Sequence, residues 1–315
     1  MTSAHERDAL RLADRVEACR REPSRWSGPG IEWTEQSTAF VRSRRAGTSG
    51  ACVVLALDPP NVVEQASPII ERLVPNFRVL AFEQPGFGFS FPKPGFGFRV
   101  ADYESFLEEF LDRQGLGPYV LAFPCISVYY GLRLAGRRPD LVDRALFLQA
   151  ASWREQRRWA RFVADVFTFV NLGLPGGRFL MRVPGVGQAL GRAMEGGFVK
   201  RTQPRVVFGG KVRPELVASF VEPAQRAADQ GGCNCMPSFY QRYFGERDVV
   251  LPVLERPVHL AWAIRDVSHR RTDRRGLVER FPDAVVTEHD ACGHHLDMEQ
   301  PDLLASLVRG LAARP

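Results

Sequence analysis

The chain has 315 residues, of which 45% are hydrophobic and 25% charged, and it carries a formal net charge of +6. This composition is ordinary for a globular protein, and the length allows one large domain or one domain with an insertion. No apolar run approaches the ~20 residues needed to cross a bilayer, and six cysteines in so long a chain do not suggest a disulfide-stapled scaffold, so free thiols and a cytoplasmic location are expected.

The opening stretch, MTSAHERDALRLADRVEACRRE, is charged from its fifth residue and lacks the apolar core of a signal peptide. Leu10, Leu12, Ala13 and Val16 predict an amphipathic surface helix within an N-terminal extension, residues 1–29. IEWTEQ and TAFVRSRR read as a hairpin, and Cys52 to Leu57 as a fully buried strand. PIIERL is a short helix, Phe77 to Phe82 a strand, and DYESFLEEFLDRQG a helix stopped by Gly115. PYVLAF is a strand, SVYYGLRLAGRRPD a helix, and Arg144 to Ala150 a strand. Later, Pro257 to Ile264 and AVVTEH are strands, with DRRGLVERF and PDLLASLVRGLA as helices. Apolar strands alternating with helices mean a mostly parallel sheet covered on both faces, an α/β architecture.

Residues 152–247 break this rhythm: they are helical, punctuated by glycine and without a convincing strand, which predicts a helical lid inserted into a core of residues 30–151 and 248–315. Fifteen basic residues stand against seven acidic ones there. The arginines are interleaved with apolar residues rather than bunched, so nucleic acid is not the expected partner. They read as a solvated helix face, or as the side approached by an anionic or carrier-bound substrate. Of the chain's three lysines, Lys93, Lys200 and Lys211, the last two fall in this segment. The C-x-C pair Cys233 and Cys235 has no second ligand pair nearby, so no metal site is expected. FGFSFPKPGFGF reads either as an aromatic rim to a pocket or as a turn-rich loop with buried phenylalanines, and its G-x-G elements lack the helix-start pattern of a nucleotide site.

Ligands of parallel sheets bind beyond the carboxyl ends of the strands. In chain order those ends supply a thiol, Cys125, a carboxylate, Asp266, and an imidazole, His294. A nucleophile, a base and a group that orients the base are the minimum for covalent acyl chemistry. His259 lies within a strand and reads as a core or sheet-face residue, Cys292 as packing, and His269 and His289 as surface residues.

The order nucleophile, acid, histidine resembles the α/β-hydrolase fold, in the branch that holds epoxide hydrolases, haloalkane dehalogenases and many esterases. RVLAFEQPGFGFS is similar to the family's strand and D-x-x-G-x-G-x-S, with Glu83 in the Asp place; YVLAFPCISVYYG is similar to its strand, nucleophile elbow and helix. LAWAIRDVS resembles W-G-x-x-D, and CGHHLDMEQPDLLASLVRGL resembles G-H-x-x-x-x-E-x-P, placing the acid at Asp266 and the histidine at His294 rather than His295. The resemblance covers the chain from about Gly30 onward and implies an enzyme without a cofactor.

Two departures qualify it. The elbow's G-x-S/D-x-G becomes Phe123-Pro124-Cys125-Ile126-Ser127, and the absence of an Asp nucleophile disfavours dehalogenase and epoxide hydrolase activity. A cysteine at a helix N-terminus beside a histidine is expected to be a thiolate at neutral pH. The family's H-G-x-P becomes LDPPN, with Pro59 where a backbone N–H usually holds the oxyanion, and proline has none. Pro60 follows it. The N–H of Ile126 would remain, with the Asn61 amide as a candidate substitute.

The leading expectation is therefore a Cys125–His294–Asp266 enzyme acting on a small-molecule ester, thioester or lactone, by hydrolysis, acyl transfer or cyclisation, as in natural-product assembly. A lyase or isomerase with His294 as base, and a non-catalytic binding member of the fold, are the alternatives.

Overall fold

The computed structural model describes residues 3–22, 27–197 and 214–314. Part of the predicted lid, with Lys200 and Lys211, lies outside the described residues. The hairpin of β1 (Ile31–Glu35) and β2 (Ala39–Ala46) is antiparallel, with Ile31 opposite Arg44 and Glu35 opposite Phe40. It precedes β3 (Cys52–Ala56), β4 (Arg78–Phe82), the two-residue strands β5 (Phe87–Gly88) and β6 (Phe91–Pro92), β7 (Tyr119–Pro124) and β8 (Val142–Leu148). A two-residue β9 (Cys233–Asn234), β10 (Val258–Ala263) and β11 (Val285–His289) complete the strands.

The main sheet runs β1-β2-β4-β3-β7-β8-β10-β11, with β6 pairing to β2. From β4 to β11 every neighbour is parallel. β3, β4 and β7 are almost wholly apolar and buried because helices cover both faces. On one face α3 (Val100–Gln114) and α4 (Ser127–Arg137) contribute Phe106, Phe110, Tyr130 and Leu134 to one apolar cluster. On the other, α2 (Ser67–Leu73) and the C-terminal helix Pro301–Ala312 contribute Ile69, Leu73, Leu304 and Val308 to a second. α3 ends where expected: Gly115 takes φ 60° and its N–H caps the Leu111 carbonyl.

Between β8 and β10 the described residues form α5 (Trp153–Leu172), α6 (Gly177–Leu180) and α7 (Val186–Gly197), followed by helices at Glu222–Asp229 and Met236–Arg242. The two-residue β9 there pairs with β5, a short strand the apolar pattern does not announce.

Two expectations are corrected, and one pair of alternatives is decided in favour of the turn-rich loop with buried phenylalanines. In the N-terminal helix α1 (Ala4–Arg21) the buried stripe is Ala9, Leu12, Val16 and Cys19, while Leu10 and Ala13 face outward, as a 3.6-residue period requires. Asp273 to Phe281 forms turns and a single 3-10 turn, Val278–Arg280, instead of a helix. Its apolar residues are too few to fill a stripe, and Gly276 sits where a Cβ would lie 3.0 Å from the Ser152 side chain. The glycine–phenylalanine run is core: Phe87, Phe89, Phe91, Phe96 and Phe98 are all buried, and Phe96 and Phe98 meet edge to face at 5.0 Å.

Phe123, the bulky residue of the elbow, is fully buried between Phe82 at 6.0 Å and Tyr130 at 5.8 Å. A Cβ on Gly131 of α4 would lie 2.6 Å from its ring. The missing elbow glycine is thus offset by a glycine on the facing helix.

His259 hydrogen-bonds Thr287 at 2.9 Å on the sheet, and burial lowers its pKa to about 4. A group depressed below its unfolded value stabilises the fold above that value, near 6.5, and the stabilisation is lost as pH falls toward 4. His259→Gln is expected to flatten the loss of stability between those pH values by on the order of 1–2 kcal/mol, discounted for partial solvent screening and read by denaturant titration.

Candidate functional site

The junction of β7 and α4 forms a tight turn. Cys125 takes φ 47°, a left-handed conformation that costs a non-glycine residue about 1–3 kcal/mol and persists only where its surroundings impose it. They do so here: the Cys125 N–H donates to Leu148 at 2.8 Å, and the Tyr243 hydroxyl donates to the Ile126 carbonyl at 2.6 Å. Among the described residues the Ile126 N–H is donated to no carbonyl, and Ile126 lines the cavity above the turn.

Asp266 follows β10 and His294 follows β11, and the two meet, His294 Nδ1 to Asp266 Oδ2 at 2.7 Å. Asp266 is dense with donors. Its Oδ1 accepts from the Ser268 N–H at 2.8 Å, the Ser268 hydroxyl at 2.6 Å and the His269 N–H at 3.3 Å; its Oδ2 also accepts from Gln149 Nε2 at 2.7 Å. Gln149 reaches it from the end of β8 with φ 52°, and its Oε1 accepts the Ala263 N–H. Burial alone would raise Asp266, but His294 and these donors hold its carboxyl far below the usual carboxylate range. His295 lies 3.9 Å from Asp297 and does not take part.

His269 corrects the sequence reading. It is buried, not on the surface, and its ring is parallel to His294 within 1° at 5.5 Å. Trp159 of α5 stacks on both, at 4.8 Å and 5.8 Å, so the imidazole plane is clamped from the helical segment as well as from the core. Burial and the neighbouring His294 charge lower His269 to about 3, so it stays neutral.

The other nitrogen of His294 has a carboxyl partner of its own. Asp58, directly after β3, places Oδ2 3.1 Å from Nε2. Cys125 Sγ, Asp58 and His294 converge with their ligand-type atoms within 4.8 Å of one another, and Gln156 Nε2 of α5 donates to the sulfur at 3.1 Å. These atoms, like those of Asp266, His269 and His294, are of metal-ligand type, but both nitrogens of His294 already sit in hydrogen bonds to carboxylates, the arrangement of a proton chain.

The thiol is not the thiolate that a helix N-terminus leads one to expect. Cys125 is wholly buried, and burial together with Asp58 pushes it up to about 11, more than His294 and Gln156 recover. Desolvation outweighs the dipole. For His294 burial opposes a charge, but Asp266 and Asp58 more than offset it and raise its proton affinity.

Asp58, Pro59, Pro60, Ile126 and His294 floor a cavity of about 100 Å³, and its walls are mostly apolar, with Val163 and Phe167 from α5 facing Phe239 and Phe244. Asn61 is outside this lining. Its backbone N–H turns back to the Asp58 carbonyl at 3.0 Å, whereas Asp58 itself lines the cavity. Gln156, Gln149, Trp159 and Asp58 carry no motif: each depends on contacts across the fold.

Glu83, directly after β4, is wholly buried. It accepts from Arg42 at 2.8 Å, from the Val63 N–H at 3.0 Å and from the Phe89 N–H at 2.6 Å, tying the loop after β3 to the loop after β4. Gly88 passes so close, with φ 57°, that a Cβ would lie 2.7 Å from the Glu83 carboxylate.

Neither a scan against protein-family models nor a search of curated proteins finds a match. Solved structures do match. A mutant of a Pseudomonas aeruginosa protein assigned as an epoxide hydrolase has 20% identity and a TM-score of 0.68, over 90% of this chain and 96% of that one. A loop variant of the Bradyrhizobium elkanii haloalkane dehalogenase DbeA has 19% identity and a TM-score of 0.62, over 90% and 98%. A Bacillus anthracis bromoperoxidase has 15% identity and a TM-score of 0.65, over 90% and 100%. At such identities the likeness establishes the fold, which is that of the α/β hydrolases. Among the described residues no helix is long and apolar enough to cross a membrane.

Proposed function

We propose that this α/β-hydrolase-fold protein is an enzyme that transfers an activated acyl group through Cys125, with His294 as base and Asp266 holding the imidazole. The observation that carries the reading is the left-handed turn that aims Cys125 at His294, whose far nitrogen Asp266 grips at 2.7 Å. Because the thiol sits near 11, it does not rest as a thiolate. The sulfur attacks the carbonyl carbon as its proton passes to His294 Nε2, the way a serine is activated, and the developing charge on sulfur is met by Gln156. The leaving group then takes the Nε2 proton as its bond to carbon breaks. Water, a second nucleophile or the substrate's own hydroxyl accepts the acyl group, giving hydrolysis, transfer or lactone formation.

The apolar walls suit a small hydrophobic acyl chain of an ester, thioester or lactone. An anionic or carrier-bound portion is supported by a second cleft, which shares Trp159 and Ser268 with the cavity and is bordered by Arg158, Arg270 and Arg271. The division into a core and a helical lid accords with this reading, since α5 supplies Gln156, Trp159 and a cavity wall.

Incubation with phenyl thioacetate is expected to leave an acetyl adduct on Cys125, seen by intact mass and absent from Cys125→Ala. Full turnover by Cys125→Ala would sink the reading. One observation favours a second: Asp58 and His294 line the cavity while Cys125 is sealed beneath it. In that case His294 moves a proton at an acidic carbon, as in a lyase or isomerase, Cys125→Ser keeps turnover and no adduct is trapped.

A further inference from the structure

We propose that Asp58, as the neutral acid, donates to the substrate oxyanion the hydrogen bond that Pro59 cannot. This rests on the cysteine reading, and three observations carry it.

The first is a vacancy of donors. An anionic tetrahedral intermediate needs more than one hydrogen bond at its oxygen, and the cavity floor offers the Ile126 N–H on one side and proline on the other. The second is position. Asp58 directly precedes Pro59 and lines the cavity; its Oδ2 lies on His294, and no hydrogen bond from a described residue reaches its Oδ1. The carboxyl therefore has one oxygen on the base and one open to the cavity.

The third is the contrast between two carboxyls flanking one imidazole. Asp266 is met by five donors: the Ser268 N–H and hydroxyl, the His269 N–H, Gln149 and His294. Among the described residues Asp58 is met by His294 alone. Both are buried, and the two carboxyls and the imidazole between them share two protons, so the charge settles where the donors are: Asp266 is the carboxylate, His294 carries a proton on Nδ1, and Asp58 keeps the other. Burial and the nearby Asp266 push Asp58 the same way. In the resting site this proton lies between Oδ2 and Nε2, which is why each partner holds it more tightly than usual.

The step balances. As the substrate carbonyl enters, the Asp58 O–H turns from Nε2 to the carbonyl oxygen, and Nε2 is freed to take the thiol proton. The S–C bond forms while the carbonyl π pair moves onto the oxygen, where Asp58 and Ile126 donate to it. On collapse the carbonyl re-forms, the bond to the leaving group breaks, the leaving group takes the Nε2 proton and Asp58 retains its own. A carboxylate at this place would instead repel the oxyanion.

The test compares two reactions at the same sulfur. Phenyl thioacetate acylates Cys125 through an oxyanion; methyl methanethiosulfonate forms a disulfide there without one, and its rate also reports that the variant is folded. In Asp58→Ala the acylation rate, relative to the disulfide rate, is expected to fall by about 10²–10³. Asp58→Asn keeps an N–H donor with no charge and is expected to lose less than about tenfold by the same measure. An unchanged ratio in Asp58→Ala, or an equal loss in both variants, overturns the assignment. Absence of any acetyl adduct in the unsubstituted protein overturns the cysteine reading itself, and this one with it.

Discussion

Replacing His294 by alanine is expected to slow acylation of Cys125 by phenyl thioacetate by about 10⁴-fold or more and to change the pH dependence of what remains. The magnitude follows from the thiol. With Cys125 at about 11, the thiolate fraction at neutral pH is about 10⁻⁴, and His294 is one of the groups that hold the thiol from rising further, so its removal leaves still less thiolate. The sign follows from the same group. Without a base the attacking species is preformed thiolate, so the residual rate should rise about tenfold per pH unit through the neutral range. In the unsubstituted protein Nε2 is freed when the proton it shares with Asp58 turns to the substrate, with no proton lost to solvent, so that steep rise should be absent. A steep rise in both proteins would mean that His294 does not act on the sulfur. Trp159 and His269 lie in planes parallel to the ring and Asp266 holds its edge, so the substitution removes the acceptor without removing the frame around it.

Phe123→Ala is expected to destabilise the fold by about 3–5 kcal/mol in denaturant titration, the cost of a cavity where a wholly buried ring was. The ring meets Phe82 in β4, across β3 from its own strand, and Tyr130 in α4, so its loss loosens the junction that imposes the left-handed turn on Cys125. Gly131→Ala is expected to cost about 1–3 kcal/mol for the opposite reason, since the added methyl would stand 2.6 Å from the Phe123 ring. The two sites are in contact, so they should not add. Combining Phe123→Leu with Gly131→Ala should recover on the order of 1–2 kcal/mol relative to the sum of the single changes. Strict additivity would show that the close approach is relieved elsewhere.

Much of the architecture was legible in the residues. Uninterrupted apolar runs such as Cys52 to Leu57 are affordable only in a sheet covered on both faces, and Gly115 marks a helix end because its φ of 60° suits glycine. The failures have one cause. DRRGLVERF has scattered apolar residues that could serve a helix or a series of turns, and packing against Ser152 decided for turns. His269 stands among polar neighbours like any loop histidine, yet the fold stacks it between Trp159 and Trp262.

The candidate site divides the same way. Cys125 and Asp266 each follow an apolar strand and His294 follows the more polar β11, and a parallel sheet brings all such ends to one edge, so their meeting follows from the order of elements along the chain. Asp58 also follows a strand, but nothing local distinguishes it from a loop acid. Its partner His294 is 236 residues away, and only the packed fold sets them at hydrogen-bond distance. The state of the thiol was decided there too. A helix N-terminus beside a histidine favours a thiolate when seen in sequence, whereas full burial and the Asp58 carboxyl favour the thiol. The residues determined which groups would meet; tertiary structure, by removing water and adding a second carboxyl, decided where the proton rests.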